Sequence, residues 1–134
     1  MDIGVFIFDT DYSINISELA RELEERGYES LFVPEHTHIP TSRRSPFPGG
    51  GELPKQYSHT LDPFVSLGFA AASTKNLKIG TGICLLPQRD PIVTAKSIAS
   101  LDLMSKGRFV LGLGFDLGLG FRCCLLYTSP SPRG

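Results

Sequence analysis

Over its first 112 residues the chain alternates short apolar runs, rich in β-branched and aromatic residues, with longer runs whose apolar positions recur at helical spacing. This alternation constrains the fold more than any other feature. A strand followed by an amphipathic helix brings the chain back to the same end of a sheet, and repeating the unit builds parallel strands covered by helices. The fold class it implies is α/β. The first run, residues 3–8 (Ile-Gly-Val-Phe-Ile-Phe), has no polar position and predicts a strand buried on both faces.

A helix is predicted next. Asn15 stands as its N-cap with Glu18 three residues on, close to a capping box, while Ile16, Leu19, Ala20 and Leu23 share one face and Gly27 ends it. Residues 30–34 predict a second strand. Residues 35–60 contain Pro40, Pro46, Pro48, Pro54 and the run Gly49-Gly50-Gly51, so they predict a long loop in which regular structure does not persist. Asp62-Pro63 and Asp90-Pro91 each place a capping carboxylate before a proline, whose missing N–H costs nothing in a first turn. They predict helices over 63–73 and from residue 91 onward, the second with Ile92, Ala95, Ile98, Ala99 and Leu101 as its apolar positions and Lys106-Gly107 as its stop. Strands at 77–84 and 108–112 complete four strands joined by three helical units.

From Phe115 the pattern fails. Leu111-Gly112-Leu113-Gly114-Phe115 recurs as Leu117-Gly118-Leu119-Gly120-Phe121, a direct repeat that suggests a faulty join, and no helical pattern follows. The run Cys124-Leu125-Leu126-Tyr127-Thr128-Ser129-Pro130-Ser131-Pro132-Arg133 resembles the translation of a transposase-type adapter used in sequencing libraries. The organisation expected is a structured unit over 1–115 and a non-native or disordered tail over 116–134, the native chain being truncated near Phe115. A natural Ser/Pro-rich tail is the alternative.

A net charge of −1 with no basic block leaves no electrostatic footprint for nucleic acid or an anionic membrane surface. No apolar run is long enough for a membrane span. Cys84, Cys123 and Cys124 are odd in number and two are adjacent, so they do not form a disulfide framework; a reducing, cytoplasmic setting is expected.

The residues best placed for chemistry are Glu35-His36-Thr37-His38, just past the carboxyl end of the second strand. Parallel α/β barrels build their active sites from groups at those strand ends. Histidine exchanges a proton near neutral pH, and a neighbouring carboxylate raises its pKa and orients its ring. His36 and His38 also form a His-x-His pair able to hold a divalent metal, which supports a metal-dependent barrel hydrolase as an alternative; beyond them the chain offers only His59 as a further histidine. Gly80-Thr81-Gly82 and Gly112-x-Gly114 end the third and fourth strands, where glycine permits unusual backbone or close approach by a ligand. Arg43 and Arg44 in the long loop suit an anionic group but read first as solvated.

Taken in order, residues 3–8, 27–36 (Gly-Tyr-Glu-Ser-Leu-Phe-Val-Pro-Glu-His), 79–83 (Ile-Gly-Thr-Gly-Ile), 87–91 (Pro-Gln-Arg-Asp-Pro) and 107–114 (Gly-Arg-Phe-Val-Leu-Gly-Leu-Gly) resemble the bacterial-luciferase-like flavin and deazaflavin oxidoreductases. The resemblance covers about residues 1–115 and implies the N-terminal half of a (β/α)8 TIM barrel, with four parallel strands and flanking helices. It implies a cofactor at the carboxyl mouth, the deazaflavin coenzyme F-420 or alternatively FMN, with the acid–His pair closer to the deazaflavin branch. It further implies that His36 is the catalytic residue near the reacting face of the ring, that Glu35 contacts the cofactor, and that Gly82-Ile83 is the site of a non-proline cis peptide bulge backing it. The activity implied is hydride transfer between F-420 and an organic substrate, with an FMN-dependent monooxygenase as the alternative within the family. The partners expected are a small-molecule substrate and, for the parent, a second copy in a homodimer. Since the family's phosphate contacts lie in the other half, the chain as given is expected to be inactive.

Overall fold

The computed structural model describes residues 1–39, 41, 47, 49–115 and 122–125. In chain order the elements are β1 (Gly4–Phe6), α1 (Ile16–Glu25), β2 (Ser30–Val33), α2 (Gln56–His59), α3 (Pro63–Ser73), β3 (Lys78–Thr81), β4 (Cys84–Leu85), α4 (Pro91–Met104), β5 (Phe109–Val110), β6 (Gly112–Phe115) and β7 (Arg122–Leu125). Strands β1, β2, β3 and β5 form one parallel sheet in that order. Chain order without reversal is the arrangement of a barrel wall, not of a doubly wound sheet.

The predicted caps are present because each is a local bond between a side chain and the next few backbone N–H groups. Asn15 accepts from the Ser17 N–H at 2.9 Å, Asp62 accepts from Phe64 and Val65 at 3.0 Å each, and Asp90 accepts from Val93 at 2.8 Å. Gly27 and Gly107, both at φ +78°, follow α1 and α4.

Register sorts the sheet into two faces. Val5, Leu31, Ile79 and Phe109 stand side by side across the four strands and pack under the helices with Ile16, Ala20, Leu23, Leu67, Ala70 and Leu101. Phe6, Phe32, Gly80 and Val110 form the row on the opposite face. Gly80 is required there: a Cβ would lie 2.5 Å from the Phe32 ring and 2.7 Å from the Val110 carbonyl oxygen.

Several expectations are corrected. The strand expected over 3–8 is shorter and is not buried on both faces, since it is the edge of the sheet; Phe6 is 52% exposed. The strand expected over 77–84 is broken at Gly82 and Ile83 into β3 and β4, and that expected over 108–112 divides into β5 and β6. The long loop contains one helical turn, α2. On α4, Ile92, Ala95 and Ala99 are exposed, whereas Thr94 and Leu101 are buried. That helix is apolar on nearly every side, so spacing alone does not select the buried one.

A second sheet joins β4 to β6 in parallel and β6 to β7 in antiparallel register. Of the tail over 116–134, the strand Arg122–Leu125 is described and the remainder lies outside the described residues, as do Arg43 and Arg44.

Candidate active site

At the carboxyl end of β2 the chain passes through Pro34 to Glu35 and His36, whose side chains enter different surroundings. Glu35 is 2% exposed. Its Oε2 accepts from the Leu85 N–H at 2.6 Å, and its Oε1 accepts from Arg89 Nε at 2.5 Å and from the Thr37 hydroxyl at 3.1 Å. Arg89 also donates from Nη2 to Asp62 Oδ2 at 2.8 Å and lies 4.7 Å above the Phe64 ring. One carboxylate thus ties the end of β2 to β4 and, through Arg89, to the cap of α3.

Between β3 and β4 the Gly82–Ile83 peptide is cis, as the resemblance implies, and the Gly82 N–H donates to the Val33 carbonyl at 2.8 Å. The glycines of β6 serve close packing against this bulge. A Cβ on Gly112 would lie 2.1 Å from the Thr81 carbonyl oxygen, and one on Gly114 would lie 1.9 Å from Ile83 Cδ1. The buried Thr81 hydroxyl donates to the Gly112 carbonyl at 2.8 Å and accepts from its N–H at 3.0 Å, which locks the pair. Cys84, fully buried behind Glu35, has its thiol pushed up to about 12, first by burial and then by the Glu35 charge.

His36 is half-buried among rings. It stacks on Phe8 at 5.8 Å between centroids with 6° between planes, and Tyr57 of α2 meets it edge-on at 4.6 Å. Burial holds its pKa below the ordinary 6.5, partly offset by the Glu35 charge, so the ring is neutral at pH 7. A cavity of about 110 Å³ opens beside it, lined by Glu35, His36, Thr37, Thr60, Leu61, Asp62 and Pro63. Of the predicted residues, Glu35, Gly82 and Ile83 are brought together around β4, and His36 lies next to them at the mouth. His38 is exposed, and among the described residues no three His, Cys, Asp or Glu side chains gather as a metal site.

Tyr57, Arg89 and Asp62 were not singled out from the sequence as site residues. The available signal for Tyr57 is the stretch 55–60, free of Pro and Gly and long enough for one helical turn. Helix α2 is held to the β1–α1 turn by a Thr10–Thr60 bridge, the Leu61 N–H donating to the Asp9 carbonyl at 2.9 Å, a His59–Asp11 contact at 2.8 Å, and Lys55 lying 4.4 Å over the Tyr12 ring.

Sequential parallel strands in chain order, joined by helices, are the arrangement of an α/β barrel wall. Residues 1–115 match the family model of the luciferase-like monooxygenases, and the chain belongs to that family. An uncharacterized protein of Mycobacterium tuberculosis is 44% identical over 118 residues, which cover 86% of this chain and 42% of that protein. The chain therefore spans less than half the length of such curated relatives. Among solved structures, the coenzyme F420 dependent tetrahydromethanopterin reductase of Methanopyrus kandleri superposes with a TM-score of 0.63 at 25% identity, over 84% of this chain and 26% of that one. The oxygenating constituent of 3,6-diketocamphane monooxygenase from Pseudomonas putida, solved in complex with FMN, gives 0.64 at 22% identity, over 85% and 29%. The latter likeness is one of fold. The described strands and helices correspond to part of the TIM-barrel wall of these neighbours, and the named relatives of the family include a 5,10-methylenetetrahydromethanopterin reductase and a luciferase-like monooxygenase. No helix among the described residues is long and apolar enough to cross a membrane.

Proposed function

We propose that the whole protein moves a hydride between the deazaflavin coenzyme F-420 and an organic substrate, with His36 handling the proton and Glu35, Gly82 and Ile83 at the cofactor. The observation that carries this reading is His36 itself: a half-buried imidazole at a strand's carboxyl end, joined through Phe8 to Phe6 by ring contacts of 5.8 and 5.7 Å. The residues fit the ring of such a cofactor. Phe6 offers a half-exposed apolar face, and its ring would lie 3.1 Å from a Cβ placed on Gly82, so ring and bulge form one wall.

When bound, the cofactor supplies the hydride chemistry. The chain's own contribution is position and a proton. The Glu35 carboxylate fixes the bulge by accepting the Leu85 N–H, and neutral His36 accepts a substrate proton at a ring nitrogen or, once protonated, returns it. Arg89 is committed to Glu35 and Asp62, so it is a positioning residue and not a grip for the cofactor's phosphate.

Titrating the whole protein with F-420 and with FMN, and comparing His36→Asn, tests the reading. F-420 is expected to bind more tightly, with His36→Asn keeping affinity within about threefold and losing turnover by roughly 10²-fold or more. Tight FMN binding with oxygen-dependent turnover would move the protein to the flavin monooxygenases of the same family. Unchanged turnover in His36→Asn would remove His36 from the chemistry.

A further inference from the structure

We infer that Tyr57, with Phe8 and Phe47, determines the substrate class: the wall beside His36 takes a planar, aromatic or conjugated ring in preference to a flexible alkyl chain. The inference rests on the reading of His36 as the proton-handling residue.

Four rings meet here. Besides the Phe8–His36 stack, Tyr57 lies 4.6 Å from His36 at 64°, 5.1 Å from Phe8 at 59° and 5.7 Å from Phe47 at 70°. Tilted and edge-on pairs of this kind present both ring faces and ring edges, which a further planar ring meets with directional attraction; an alkyl chain gains area alone. All four residues are only partly buried, and one of them, His36, borders the cavity of about 110 Å³, which puts its ring neighbours Phe8 and Tyr57 next to that space. A cluster serving only to fill the core would be closed.

The wall is also held in place. Helix α2 is joined to the β1–α1 turn on both sides of Tyr57, by Lys55 over Tyr12 and by His59 with Asp11, and the Thr10–Thr60 bridge closes the segment. A preformed surface favours a rigid ligand, because an alkyl chain loses torsional freedom on binding and a fused ring has little to lose. Tyr57 reaches His36 from the short helix α2, outside the sheet, so it can vary without disturbing the strands that carry the histidine.

The test is calorimetric binding of 2-naphthol and of 1-decanol to the protein, alone and with saturating lumiflavin, a tricyclic ring of the same shape as the deazaflavin that stands in for the cofactor ring. Naphthol is expected to bind at least tenfold more tightly than decanol and together with lumiflavin. Tyr57→Leu is expected to weaken naphthol about tenfold, and Tyr57→Phe to keep it within twofold. Should Tyr57→Leu lose its fold by circular dichroism, Phe47→Leu replaces it, with a threefold loss expected. Equal or tighter decanol binding, an unaffected leucine variant, or mutually exclusive binding of naphthol and lumiflavin would overturn the inference, the last because the rings would then belong to the cofactor. Loss of F-420 binding with naphthol binding intact would overturn the coenzyme reading alone.

Discussion

Replacing Arg89 with Met tests whether the buried carboxylate at the site is held by charge. The Glu35 side chain is 1% exposed and that of Arg89 17%, so the pair is largely shielded from water. Breaking a buried pair by removing one partner costs about 3–5 kcal/mol, because the remaining charge stays desolvated. Here the lower end applies, since the Leu85 N–H and the Thr37 hydroxyl still donate to Glu35. The accompanying loss of the Arg89–Asp62 contact adds less than about 1 kcal/mol, Asp62 being 44% exposed. The expected total is about 3 kcal/mol. With a urea m-value of about 2 kcal/mol/M, the unfolding midpoint falls by about 1.5 M. Adding Glu35→Gln removes the orphaned charge, so the double variant should regain at least about half of the loss. A loss below about 1 kcal/mol for Arg89→Met, or a double variant worse than the sum of the two singles, would refute the argument that charge holds this joint.

Glu35→Gln in the otherwise native protein removes the one influence that raises the His36 pKa, so an NMR titration of the ring should move further below 6.5. Because folding depresses that pKa, the stability linked to His36 is fully present above about pH 6.5 and is lost as pH falls through the folded value; an unmoved titration would show that the two side chains are not coupled. Gly112→Ala should destabilise by about 2 kcal/mol, because the new Cβ meets a backbone oxygen that cannot swing away, whereas Gly68→Ala in α3, with nothing within 4 Å, should gain about 0.5–1 kcal/mol. Thermal melts giving the same sign for both would contradict the geometry. In a Cys123→Ser, Cys124→Ser background, Cys84 should resist a disulfide reagent at pH 8 until urea unfolds the chain, since a thiol near 12 leaves roughly one thiolate in ten thousand; rapid labelling of the native protein would contradict this.

What the sequence made legible was local. Asn15, Asp62 and Asp90 were readable as caps because each acts on N–H groups two or three residues away. Glu24 reads in sequence as another exposed acid on α1. In the structure it accepts the N–H groups of Lys75, Asn76 and Leu77 at 2.5–3.1 Å; burial opposes its charge, but these bonds outweigh burial and hold its pKa below the ordinary value. Arg108 likewise donates to the carbonyls of Ala71, Thr74, Leu77 and Ser105, closing the end of α3 from a residue far along the chain. Such bonds have no periodicity to betray them. Glu35 and His36 were visible because they follow a strand's end; Tyr57 was not, since a Pro- and Gly-rich loop separates it from its partner.

The pairing of an acid with a histidine at the end of β2 has a physical logic that neither residue has alone. Both Glu35 oxygens already accept, three hydrogen bonds in all, and the side chain is closed to solvent, so the carboxylate has little capacity left for a substrate proton. His36 could not take over the tether, because an imidazole, neutral or protonated, offers Arg89 no negative counter-charge. The acid therefore fixes the backbone and the histidine remains free for chemistry. Exchanging the two would lose both roles at once, leaving an imidazole against a guanidinium and a carboxylate partly desolvated against two aromatic rings.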